Sequence, residues 1–162
     1  MSVRDERSFR IAYERVLREH GAFYAYMSSM NRQGIPDLFV QHRGIGSWQE
    51  LKFAEHLSAR TKTGALGHKF TGPQRAFLRG VTENAGLGIG VVGHLGATGG
   101  VQVSYVFSHE IEDDGQVTVG RIRDVAADGR TVPLGRGCLD ILCVLMGRAT
   151  HHARDRGQLK LL

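Results

Sequence analysis

Residues 34–53 read GIPDLFVQHRGIGSWQELKF, two alternating runs separated by a glycine-rich stretch. Leu38 and Val40 alternate with Phe39 and Gln41. Arg43-Gly44-Ile45-Gly46 has the composition of a turn, and Ser47 to Phe53 runs back. This pattern predicts a β-hairpin. Strand alternation then puts Trp48, Glu50 and Lys52 on one face and Gln49, Leu51 and Phe53 on the other. The hairpin brings Asp37, which opens its first strand, to the same end as Glu50. A tryptophan sharing a face with two charged residues suits a cleft better than a solvated surface.

Two carboxylates and a lysine at one place are the parts needed for metal-assisted phosphodiester hydrolysis. The scissile phosphate accumulates negative charge, so attack needs a neutralising cation and an activated water. Magnesium takes one or two carboxylates plus waters and phosphate oxygens. Asp37 and Glu50 would supply the carboxylates, and the backbone carbonyl of Leu51 would add an oxygen. Lys52 would orient the water or stabilise charge in the transition state.

Pro36-Asp37 followed by Glu50-Leu51-Lys52 resembles the motif of the PD-(D/E)XK nuclease superfamily, nearest to its Holliday-junction-resolvase-like and VRR-NUC-like branches. The resemblance covers roughly residues 8 to 95 in the order helix, strand, strand, strand, helix, strand. It implies an α/β, restriction-endonuclease-like fold, a mixed central sheet flanked by helices, and DNA cleavage with Mg2+, for which Mn2+ substitutes. It implies roles for two further residues. Glu14-Arg15, on a helix with Phe9, Ala12, Tyr13, Val16 and Leu17 at helical spacing, matches a metal-reaching glutamate of resolvase-like members. A surface pair of Glu14 with Arg18 is the simpler alternative. Gln74, after Thr71 and Pro73 at a helix start, matches a glutamine near the active lysine of VRR-NUC-like enzymes, where it would support Lys52 or touch the phosphate. The buried stripe expected for that helix is Ala76, Phe77 and Val81, with Leu78 nearby.

The chain carries a net charge of +5, which favours acidic partners such as DNA. Arg60, Lys62, Lys69, Arg75 and Arg79 are the candidate backbone contacts, spread over a loop after the active strand and the next helix. Cys138 and Cys143 lie in an apolar stretch and suggest core thiols rather than a disulfide or zinc site. No long apolar run exists and the N-terminus is charged, so the expectation is no membrane span and an intracellular, cytoplasmic chain (the host cytoplasm if a phage encodes it).

Residues 1–110 are expected to form the nuclease core and 111–162 an extension packed on it. Leu87–Leu95 and Val101–Phe107 should pair as a hairpin, and Glu110 to Asp114 should be solvated. Val117–Val125 and Arg130–Leu134 are expected to form another hairpin about Asp128-Gly129. A helix from about Leu139 to Arg154 should bury Leu139, Leu142, Cys143 and Met146. The activity expected is structure-selective DNA cleavage in recombination, repair or phage DNA processing, and the resolvase likeness allows a homodimer. Two rival readings remain. One is a non-catalytic nucleic-acid-binding protein on the same fold. The other is a structural or assembly protein in which Asp37 caps a turn and Glu50–Lys52 is an exposed strand pair.

Overall fold

A computed structural model describes residues 3–27, 34–56 and 69–155. The chain runs α1 (Glu6–Glu19), β1 (Phe23–Tyr26), β2 (Leu38–His42), β3 (Ile45–His56), α2 (Gly72–Glu83), β4 (Leu87–Leu95), β5 (Val101–Phe107), a 3₁₀ turn (Ser108–Glu110), α3 (Val119–Ala127), β6 (Thr131–Pro133) and α4 (Gly137–Asp155). The six strands form one mixed sheet in sequence order. Every neighbouring pair is antiparallel except β3 and β4, which are parallel and joined by the crossover through α2. The architecture is mixed α/β. Among the described residues no helix is long and apolar enough to cross a membrane.

Local chemistry sets these elements. Asp5 caps α1 by accepting from the Ser8 N–H, and Ser8 reciprocates to the Asp5 N–H. Phe9, Ala12, Tyr13, Val16 and Leu17 form its buried stripe, as their spacing predicts. The β2–β3 turn is tighter than expected. It consists of Arg43 and Gly44 alone, both at positive φ (49° and 80°), and pairing resumes at His42–Ile45. Two residues with positive φ follow the twist of the flanking strands, so β3 starts at Ile45 rather than Ser47.

The sheet carries an apolar cluster on each face. Phe9, Tyr13, Leu51, Phe53, Val91, Tyr105, Leu142 and Leu145 belong to the first, under α1 and α4. Phe70, Leu78, Val92, Val106, Ile122 and Val125 belong to the second, under α2 and α3. Neighbours Val91 and Val92 point into different clusters, as strand alternation requires. Glycines in β4 let the layers close. A Cβ at Gly88 would lie 2.4 Å from the Leu78 carbonyl oxygen, and one at Gly93 would lie 2.5 Å from the Phe9 ring.

The second half departs from expectation in several places. Val119–Ala127 is a helix, not a strand. Thr118 caps it, accepting from the Arg121 N–H, and Val119, Ile122 and Val125 are buried at helical spacing. Asp128-Gly129 ends that helix, with Gly129 at φ +72°. β6 pairs with β5 instead, so this part of the chain completes the same sheet. On α4 the buried face is Cys138, Leu139, Ile141, Leu142, Leu145 and Ala149, and Cys143 is exposed. On α2, Leu78 and Thr82 are buried, Phe77 and Val81 are half-buried, and Ala76 is exposed. Glu110 is not solvated. It forms a bidentate ion pair at 2.6 Å with buried Arg130, which also bonds Asp128.

Candidate active site

β2 and β3 part company at Asp37. Their last cross-strand pair is Leu38–Gln49, while β3 runs on to His56 beside β4 alone. The Asp37 side chain fills the place of the missing neighbour, accepting the Leu51 N–H at 3.0 Å. The Asp37 carbonyl accepts from Met27, so the residue is held at both ends. Buried Pro36, which has no N–H, precedes it.

Glu50 lies on the same stretch, 1% exposed. Its Oε1 accepts from Lys52 Nζ at 2.7 Å and from Gln74 Nε2 at 2.5 Å. Its Oε2 is buried with no hydrogen-bond partner. Burial and the charge of Asp37 push its carboxyl up to about 7, against the pull of Lys52. Burial alone would lower the Lys52 ammonium, but Glu50, Glu6 and Asp37 outweigh it and hold its pKa above the ordinary lysine value. Gln74 belongs to a capping box with Thr71, whose N–H donates to Gln74 Oε1. That contact turns the amide nitrogen toward Glu50. Gln74 therefore bonds Glu50 directly, on the same oxygen that accepts from Lys52.

Trp48 packs on Phe39 and Phe77, each with ring centroids 5.1 Å away. It belongs to the α2 side of the sheet, as Glu50 does by alternation.

The other sequence-predicted residues divide. Glu14 has its ion pair with Arg10, at 3.6 Å, rather than with Arg18. The α1 carboxylate beside the site is Glu6, 4.0 Å from Lys52 Nζ. Glu14 follows it by eight residues, about 12 Å of helix rise. Leu51 gives its N–H to Asp37 and lines the adjoining cavity. Lys69 pairs with Asp114, and Arg75 donates to the Glu112 carbonyl and faces Asp113. These two cations fasten the acidic turn, and Arg79 stays exposed on α2. Arg60 and Lys62 lie outside the described residues.

Sequence reasoning missed Glu6, Arg7, Arg10 and Tyr26, which line a cavity with Asp37 and Leu51. An acidic first-turn residue such as Glu6 ordinarily signals only complementation of the helix dipole. Its nearness to Lys52 depends on α1 packing across β3.

Among the described residues no group of three His, Cys, Asp or Glu side chains is arranged to hold a metal. Magnesium needs fewer, because it keeps several of its waters. The site offers only oxygen ligands, and Glu50 Oε2 is a buried acceptor lacking a donor. Asp37 and Glu50 thus fit a hard divalent cation. Compared with known proteins, the chain matches no family model and no curated protein.

Proposed function

We propose that the chain is a metal-dependent DNA endonuclease with a restriction-endonuclease-like fold of the PD-(D/E)XK type. The observation carrying this reading is the unsatisfied, buried oxygen of Glu50 beside Asp37, where β2 stops and β3 continues. A buried carboxylate oxygen kept there without a donor of its own costs the fold stability, and a cation-dependent activity accounts for its presence.

Asp37 and Glu50 would hold Mg2+ or Mn2+, which when bound would neutralise the scissile phosphate and acidify a water. Asp37 is kept in place by Leu51 and Met27. Glu50 is oriented by Gln74 and Lys52. Lys52, cationic and buried beside Glu50, would stabilise the charge that develops on phosphorus oxygens. Glu6 lies close enough to Lys52 to restrain it.

Structure-selective cutting, of resolvase, flap or nick type, is the biological form we favour, with DNA as partner and homodimerisation left to measurement. The test is cleavage of labelled four-way junction, flap, single-stranded and linear duplex DNA in Mg2+ or Mn2+, with Asp37→Ala and Lys52→Ala alongside. Metal-dependent cutting lost in both variants supports the reading. Undiminished cutting by either variant refutes it. Binding without cutting transfers the chain to the non-catalytic nucleic-acid binders, and neither binding nor cutting to structural proteins.

A further inference from the structure

The cavity beside Asp37 contains groups that hydrolysis as described leaves unused. Its volume is about 140 Å³, roughly ten times what one water requires, so a tetrahedral oxyanion enters with its waters. Glu6, Arg7, Arg10, Tyr26, Asp37 and Leu51 line it. Arg10 is held in advance of any ligand. Its guanidinium lies 4.2 Å from the Tyr26 ring centroid, and Nη1 donates to the Tyr26 hydroxyl. Its Nε stands 3.6 Å from Glu14, beyond hydrogen-bond reach, buried and without a hydrogen-bond partner. A guanidinium stacked and tethered in this way has already lost much of the freedom that a phosphate contact would otherwise cost. Arg7 stands exposed beside it, in the first turn of α1.

The charges decide what can enter. Two arginines face two carboxylates, Glu6 and Asp37, and Glu6 is 4.0 Å from Lys52. With a divalent cation at Asp37 the balance becomes positive, and an anion is admitted next to the cation. A nucleic-acid backbone supplies a phosphate on either side of the one being cut.

We propose that this cavity binds the DNA phosphate adjacent to the scissile one, with Arg7 and Arg10 contacting it and with Glu14 and Tyr26 positioning Arg10. The inference rests on the nuclease reading above. It also gives Glu14 a task other than metal binding, in its pairing with Arg10.

The test uses the full chain, with a labelled duplex and a labelled four-way junction bound in Ca2+, from about 50 to about 200 mM salt. Arg7→Ala and Arg10→Ala should each weaken binding roughly tenfold. Because both contact one phosphate, the double variant should reduce the slope of log affinity against log salt by about 0.9, with each single variant giving a part of that. In Mg2+ turnover both should raise KM more than they lower kcat. Glu14→Gln should raise KM while leaving the salt slope unchanged, and Glu14→Asp should restore it. Arg7 is exposed, so Arg7→Ala carries the test if Arg10→Ala fails to fold, with Arg10→Lys as its partner. Wild-type affinity and salt slope in the folded arginine variants of a chain that cuts DNA would overturn the subsite and leave the nuclease standing. A wild-type chain that neither binds nor cuts would overturn both.

Discussion

Replacing Glu50 by glutamine should stabilise the metal-free protein, and only above acidic pH. The carboxyl rises from 4.5 to about 7 on folding. At about 1.4 kcal/mol per tenfold change in proton affinity, this corresponds to about 3 kcal/mol. The sign follows from the direction of the shift. The folded state holds a proton that the unfolded chain releases, so the contribution is complete below pH 4.5 and is lost as pH rises through about 7. Glutamine keeps the shape and an oxygen for Lys52 and Gln74, and replaces the unpartnered Oε2 with a neutral group. Urea denaturation of wild type and Glu50→Gln, with a chelator, at pH 4.5, 6 and about 8, gives the difference between the two proteins at each pH. Taking that difference cancels other titrating groups, including Glu110 and His94. It should grow by about 3 kcal/mol in favour of the variant across the range. Adding Mg2+ should narrow it, because a cation bound to the folded wild type stabilises it by mass action. A difference that stays constant with pH would refute the premise that Glu50 is a desolvated carboxylate facing Asp37.

Further outcomes follow from the same physics. Arg130→Met removes the cation from a buried pair with Glu110 and leaves that carboxylate uncompensated, which should cost about 3–5 kcal/mol in urea denaturation. Burial alone would raise the Glu110 carboxyl, but Arg130 and the Phe107 N–H hold it below 4.5. Its contribution is therefore complete above pH 4.5 and is lost as pH falls through the lowered value, and Glu110→Gln should flatten this acid limb. A thiol reagent should label Cys143 at once in the native protein, and Cys138 only when denaturant is added.

Much of the site could be read along the chain because its parts are close in sequence. The Asp37–Glu50 juxtaposition needs only a hairpin and a tight turn, and the shared face of Glu50 and Lys52 needs only strand alternation. The capping box of Thr71 and Gln74 is equally local. α3 escaped because Val117, Val119, Ile122 and Val125 satisfy both a strand pattern at one end and a helical one at the other. The cap from Thr118 decides for helix, and the short β6 then takes the edge beside β5.

Sequence alone determined the elements whose periodicity was unambiguous and the end of the sheet where acidic and basic groups meet. Tertiary structure decided which distant residues join them. Glu6 rather than Glu14 stands by Lys52, Arg7 and Arg10 line a cavity with Asp37, and Lys69 and Arg75 fasten an acidic turn. The reason is physical. Helix and strand periods fix directions within an element, whereas the contact of α1 with β3 depends on how Phe9 packs against Gly93 and Phe53, and no local spacing encodes that.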